Sequence, residues 1–277
     1  MAGTLFLVAT PIGNLEDITY RARRVLAEAG IIACEDTRHT GKLLAHFAIA
    51  TPTISYHEHN EHSRSRELIE KLLAGTDVAL ASDAGTPLIS DPGYRLVLSA
   101  IQHSINVVSI PGPSAVLVAL TASGFPTDAF HFAGFLNTKQ TQLRKQLELL
   151  KLQTCTIILY EAPHRIIETL SSIAEVFGPD RPVVVARELT KLHEEYLRGT
   201  AATIQTQLAA RPSVKGEITV LIGPAPDVPP DPADPDLLRR EVEALIASGT
   251  PRMDAIKEVA RRHRLPKRDV YRTVEDS

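Results

Sequence analysis

Four short apolar runs, at residues 5–9, 31–34, 78–81 and 106–110, each end in a loop dense in Gly, Pro, hydroxyl or charged residues, and an amphipathic stretch follows each loop. A run this short and this apolar reads as a strand buried on both faces. Such strands belong in a parallel sheet covered by helices on both sides. The intervening stretches supply those helices. Asp17 is placed to cap a helix through Arg21, Val25 and Leu26, with Gly30 as its stop. Residues 41–47 read as a short helix, and Asn60 as the cap of a helix over 63–74 whose Leu68, Ile69, Leu72 and Leu73 share a face. Helices at 94–103 and 114–123 complete an α/β domain over residues 1–118.

The alternation continues beyond Gly124-Phe125-Pro126. Strands are expected at 130–134 and 156–160, with a charged helix at 141–152 between them and another helix at 164–177. Strands at 183–187, 195–198 and 217–222 follow. The last two read as short and antiparallel, so residues 119–222 form a second α/β domain with a mixed sheet. The stretch GPAPDVPPDPADP, residues 223–235, holds six prolines and reads as a stiff linker. Beyond it, helices at 236–248 and 252–264, with a third opened by Pro266 and running through Tyr271, make a small helical module over 236–277.

A chain of 277 residues with 44% hydrophobic and 23% charged residues is ordinary for a globular protein of two domains or more. No apolar run approaches the roughly 18 residues of a membrane span. The start, MAGTLFLVATPIGN, lacks the basic segment of a secretory signal, so none is expected. Cys34 and Cys155 alone make no disulfide framework and read as reduced cysteines of a cytoplasmic protein. Trp is absent, which disfavours an aromatic base-stacking surface. Between Arg252 and Arg272 there are eight basic and three acidic residues, a net +5 in a chain of net charge −3. This segment is either a contact for a polyanion or a solvated helix face.

In open α/β sheets, ligands lie beyond the carboxyl ends of the strands. Five loops occupy that position: TPIGNLEDIT, EDTRHTG, SDAGTPLISDPG, PGPSA and EAPHR. Five such loops on one edge point to a pocket lined by backbone, where Gly85 lets the chain approach a ligand and Asp83 is a fixed acceptor for it. Asp91, before Pro92, reads instead as a turn or cap residue. The phosphate-binding GxxxxGK[ST], the dinucleotide GxGxxG and the hydrolase GxSxG are all missing. The run HEHNEH places His57, His59 and His62 beside Glu58 and Glu61. It can serve as a metal site, a polar loop facing substrate or plain surface, and it lacks the HExxH pattern.

Eight segments together, VATPIGNLEDIT, CEDTRHT, YHEHNE, SDAGTPLISDPG, PGPSA, YEAPHR, ARELTK and KGEITVLI, resemble in sequence and order the ribosomal RNA small subunit methyltransferase I family, within the tetrapyrrole methylase fold superfamily. The resemblance covers residues 4–222 and, more weakly, the basic tail. It implies a homodimeric enzyme that methylates a cytidine ribose 2′-hydroxyl in the decoding region of 16S rRNA, in the small ribosomal subunit, with S-adenosylmethionine; no metal requirement is expected. That fold holds its cofactor between two domains without the usual glycine fingerprint. The matching cofactor positions are Pro11, Ile12 and Gly13, then Asp83, Gly85 and Thr86, then Ser114 and Ala115, and Tyr160. The strand at 217–220 is expected near the adenine.

A 2′-hydroxyl is a poor nucleophile, so a general base helps the transfer. Glu35 and Asp36 leave a buried strand directly into the cleft and are the expected bases. His39 and, more distantly, Glu188 and Lys191 are further candidates. Arg38, Arg165 and Arg187, with His39, His57 and His59, are expected on the substrate side, and Arg261, Arg262 and Lys267 on the RNA backbone. For each arginine, an ion pair with a neighbouring acid is the competing role. Two other readings remain at this point: a methylase of the same fold acting on a corrinoid or diphthamide, and a regulator that binds nucleic acid without catalysis.

Overall fold

The computed structural model describes residues 1–224, 235–263 and 265–275. Residues 1–224 form one compact unit and the chain from 225 onward a second. In the first unit, β1 (Thr4–Val8), α1 (Tyr20–Glu28), β2 (Ile31–Cys34), α2 (Thr37–His46), β3 (Thr53–Ser55), α3 (Glu61–Leu73), β4 (Val78–Ala81), α4 (Tyr94–Gln102) and β5 (Asn106–Ile110) wind a five-stranded sheet in the order β3-β2-β4-β1-β5, every neighbouring pair parallel. The strand periodicity sorts its side chains. Val78 and Leu80 face α3 and α4 with Leu68, Leu72 and Leu96, while Ala79 and Ala81 face α1 and α2 with Val25, Leu26 and Leu44.

Then α5 (Ala115–Ser123) leads to β6 (Phe130–Phe135), α6 (Gln140–Lys151), β7 (Thr156–Glu161), α7 (Ile166–Phe177), β8 (Pro182–Arg187), β9 (Glu195–Thr200), α8 (Ala201–Ala209) and β10 (Ile218–Ile222). The second sheet runs β6-β7-β10-β8-β9. Only its β6–β7 pair is parallel. One face carries α6, α7 and α8 over Ile157, Leu159, Val183 and Val220. The other face packs Ile158, Val184 and Leu221 against Val116, Ala119 and Leu120 of α5 and against Ile12 from the loop after β1. The expected domain boundary at 118/119 thus falls inside α5, whose buried Val116, Ala119 and Leu120 belong to the second sheet's core.

Three local expectations need correction. Thr19, not Asp17, caps α1, accepting a hydrogen bond from the Ala22 amide at 3.0 Å, while Asp17 closes a 3-10 turn capped by Asn14. Asp36 caps α2, which therefore starts four residues before the expected Gly41. Asn60 sits at the head of α3 without capping it. Its side chain accepts from the His57 amide at 2.9 Å and donates to the Ser55 carbonyl at 3.1 Å. The sequence reading also lacks β3 and α8.

In the second unit, α9 (Pro235–Ala247), α10 (Arg252–His263) and α11 (Lys267–Glu275) close around Leu238, Val242, Ile256, Val259 and Val270, as three expected helices should. Most of the Pro-rich linker expected at 223–235, residues 225–234, lies outside the described residues. No helix among the described residues is long and apolar enough to cross a membrane.

Candidate functional site

The strand order of the first sheet reverses beside β1. The chain goes from β1 to β2 on one side and from β4 to β5 on the other, so the loops after β1 and β4 leave adjacent strands in opposite directions and open a crevice. The two loops are bonded to each other. Thr10 and Gly85 exchange backbone hydrogen bonds of 2.9 and 3.0 Å. The Thr10 hydroxyl donates to the Ser82 carbonyl at 3.0 Å, and the Ser82 hydroxyl donates to the Gly85 carbonyl at 2.9 Å. The Thr86 hydroxyl reaches the Pro113 carbonyl at 3.1 Å and ties in the third loop, PGPSA. Gly85 has φ +82°, which a side chain would strain. Leu88 and Ser90 hold φ of 71° and 65° without being glycine, so the dozen turn-forming residues after β4 build a fixed, locally strained wall.

That wall bounds a cavity of about 380 Å³, within the usual range for small-molecule sites of about 300–1,000 Å³. Apolar surface comes from Ile12, Ala115, Tyr160, Leu189 and Ile218. Asp83, Asp91, Glu161 and Glu217 also line it, and among the described residues no Lys, Arg or His does. Glu161 is internally satisfied, accepting from the Ala162 amide at 2.7 Å and the Thr169 hydroxyl at 2.6 Å. Asp91 differs. Burial raises its carboxyl to about 6, and Glu35 and Asp83 push the same way, against a weaker opposing contribution from Ser82. Burial and then Asp91 push Tyr160 up to about 12.

A second cavity of about 290 Å³ adjoins the first and shares Ile12, Asp83, Ala84 and Glu217 with it. Its other walls include Pro11, Gly13, His39, Thr40, Lys42 and Lys191. The Lys191 ammonium donates to Glu188 Oε1 at 2.8 Å and to Glu217 Oε2 at 3.0 Å. The loop carrying these residues holds two non-glycine positions in the left-handed region, Glu188 at φ 52° and Thr190 at φ 64°.

The cofactor positions taken from the sequence converge. Ile12, Asp83, Gly85, Thr86, Ser114, Ala115 and Tyr160 line the first cavity, and Pro11 and Gly13 the second. Ser114 precedes α5 without using its hydroxyl as a cap. The expected bases fare differently. Asp36 is bound by the Arg38 guanidinium at 2.7 and 3.1 Å, which holds its carboxyl well below the usual range, and it lines neither large cavity. It caps α2, and Arg38 is its partner. Glu35 sits beside a third, small cavity with Tyr56 and Asp91. Partial burial and then Asp83 and Glu58 raise it.

Arg165 donates to the Leu136 and Asn137 carbonyls at 3.4 and 2.8 Å, and Arg187 to Glu195 and the Lys215 carbonyl at 2.5 and 2.9 Å. For both, the ion-pair and structural role competes with substrate contact. The His57 ring lies 3.1 Å from the Asn60 amide nitrogen, with Nδ1 buried and unpartnered, and its centroid is 5.9 Å from that of the exposed His59. No cluster of three potential metal ligands occurs among the described residues. In the second unit, Arg261 and Arg262 share Glu258 at 2.7 and 3.3 Å, and Lys267 begins α11. The sequence reading assigned Asp91 to a turn and left Glu161 and Gly216 out. All three lie in segments already singled out, Asp91 in SDAGTPLISDPG, Glu161 in EAPHR and Gly216 in KGEITVLI.

The family model for Tetrapyrrole (Corrin/Porphyrin) Methylases matches residues 4–205. The chain is 48% identical over 272 residues to "Ribosomal RNA small subunit methyltransferase I" of Synechocystis sp., covering 97% of this chain and 96% of that protein. It is 49% identical to the protein of the same name from Halalkalibacterium halodurans, covering 97% of this chain and 93% of that protein. Among solved structures, uroporphyrin-III C-methyl transferase from Thermus thermophilus complexed with S-adenyl homocysteine shares the fold, with TM-score 0.55 and 18% identity over 79% of this chain and 97% of that one.

Proposed function

The chain belongs to the ribosomal RNA small subunit methyltransferase I family of the tetrapyrrole methylase superfamily, and on that premise we propose that it methylates the 2′-hydroxyl of a cytidine ribose in the decoding region of 16S rRNA, using S-adenosylmethionine. Identity of 48–49% to rRNA enzymes over 97% of the chain, against 18% to a tetrapyrrole enzyme, separates this reading from a corrinoid methylase.

The observation that carries it is a cavity lined by four carboxylate residues and no cationic side chain. Glu161 lies 3.6 Å from the Arg165 guanidinium and the exposed Glu217 bonds Lys191, so Asp83 and the half-buried Asp91 are the lining acids left to meet a cation, and a cationic ligand relieves the cost of charging Asp91. S-adenosylmethionine supplies an activated methyl group on a cationic sulfonium. Asp83 and Asp91 are the acids on the strained loop that face this charge. Ile12, Ala115, Leu189 and Ile218 offer the apolar walls an adenosine needs. The bonded loops fix these groups before any ligand arrives, so alignment costs little at the moment of transfer.

The basic surface of α10 and α11, with Arg261, Arg262 and Lys267, holds rRNA phosphates. The enzyme works in the cytoplasm as a homodimer, and sedimentation at micromolar concentration should give about twice the chain mass. The decisive experiment incubates the protein with labelled S-adenosylmethionine and small subunits from cells lacking it. Nucleoside digestion should release 2′-O-methylcytidine. A methyl group on a base, or no transfer to the subunit while a corrinoid is methylated, would overturn the reading.

A further inference from the structure

We propose that the second cavity seats the acceptor nucleoside, with Lys191, held between Glu188 and Glu217, touching the ribose 2′-oxygen and Glu217 taking its proton. The assignment rests on the methyltransferase reading above and names the part of the site that meets the acceptor. Four residues form a common wall between the two cavities, so a group in one lies against a group in the other. The charge divides between them. The first cavity has acids and no cation, whereas the second adds Lys42, Lys191 and His39, which suit a ribose flanked by phosphates.

The chain is shaped around Lys191. Gly13 lies against its stem, and a Cβ there would overlap Lys191 Cγ and approach Thr190 Oγ1 to 2.9 Å. Gly216, at φ +92°, leaves the room that the Glu188 carboxylate fills. Glu188 also accepts from the Glu217 amide at 3.1 Å, so the two acids that flank the ammonium are joined to each other. Burial opposes the Lys191 charge, but its hydrogen bonds to Glu188 and Glu217 outweigh burial and keep the ammonium protonated. A partly buried ammonium held by two acids stabilises developing negative charge on oxygen and is itself no base. Glu217, largely exposed and lining both cavities, is the acceptor within reach. In the transfer, the new O–C bond forms as the C–S bond breaks, the C–S electron pair stays on sulfur, and the hydroxyl proton passes to the Glu217 carboxylate. Glu188 is a positioning residue that acts through Lys191.

The test compares wild type, Lys191→Met, Lys191→Arg and Glu217→Gln by steady-state methylation of small subunits from cells lacking the enzyme, by calorimetry with S-adenosylmethionine and by thermal melting. Removing a charge-stabilising donor or a general base typically costs about 10²–10⁴ in rate. Lys191→Met should lower kcat about 100-fold or more, with donor affinity within about twofold and the KM for subunits within about threefold. Lys191→Arg keeps the charge and both acids, so it should melt with wild type yet lose kcat about tenfold, because a planar guanidinium places its donors elsewhere. Glu217→Gln should lower kcat about 100-fold or more while donor affinity stays within about twofold. If Lys191→Met and Lys191→Arg keep kcat within threefold, or change only the KM for subunits, the assignment is wrong while the methyltransferase reading stands. If wild type transfers no methyl to the subunit, the reading itself fails.

Discussion

Replacing Asp91 by Asn should make the ligand-free protein more stable at neutral pH. Burial, Glu35 and Asp83 move this carboxyl from its ordinary 3.8 to about 6. At about 1.4 kcal/mol per unit, that corresponds to roughly 3 kcal/mol of strain on the charged form. The side chain is half-buried, so solvent screening cuts the figure to about 1–2 kcal/mol. The sign follows from proton counting. Between pH 4 and 6 the folded state holds a proton that the unfolded state has lost, so stability falls as pH rises through this window and stays low above it. An amide has no charge to strain. The variant should therefore melt about 2–8 °C higher than wild type at pH 7.5, and the gain should largely vanish at pH 4. The same change should weaken S-adenosylmethionine more than its neutral product, because only the donor carries the charge that Asp91 answers. Differential scanning fluorimetry at both pH values, without ligand, tests the stability term. A lower melting temperature at pH 7.5, or an equal gain at both pH values, would refute the claim that Asp91 carries uncompensated charge.

Other consequences are equally direct. Asp83→Ala should weaken S-adenosylmethionine binding in calorimetry while the melting temperature stays near that of wild type, and unchanged affinity would return Asp83 to a turn role. Gly13→Ala should lower methyl transfer about tenfold or more by displacing Lys191, because the added Cβ overlaps the lysine stem. Deleting residues 225–277 should leave donor affinity unchanged but weaken subunit binding and flatten its dependence on salt, since fewer counterions are released. Full subunit affinity in that truncation would make the helical unit a stability element.

The strands were legible because β2, β4 and β5 are short apolar runs ended by turn formers, and their bounds agree with the expected residues. The loops that line the first cavity were legible for the same reason: Gly85 and Thr86 follow a strand end, where open sheets bind ligands. What failed was local punctuation. Gly41 reads as a helix start, yet it lies inside α2, and the real start was marked by Asp36, which the cleft reading had claimed as a base. β3 has three residues and α8 no charged face, so neither gives a periodic signal. Asp91 read as a turn residue because burial and the neighbouring carboxylates are tertiary facts. So is the Lys191 clamp, whose partners lie 3 and 26 positions away.

The way α5 and Ile12 enter the core of the second sheet has a consequence for folding. Arg198 on β9 also donates to the Ala122 carbonyl at 2.5 Å and the Ser123 carbonyl at 3.4 Å, closing the end of α5. Ile12 and α5 cover one face of the second sheet, and residues 1–224 form one compact unit rather than two separable halves. Their denaturation should be a single cooperative event, with fluorescence and circular dichroism transitions that coincide and a calorimetric enthalpy equal to the van't Hoff value.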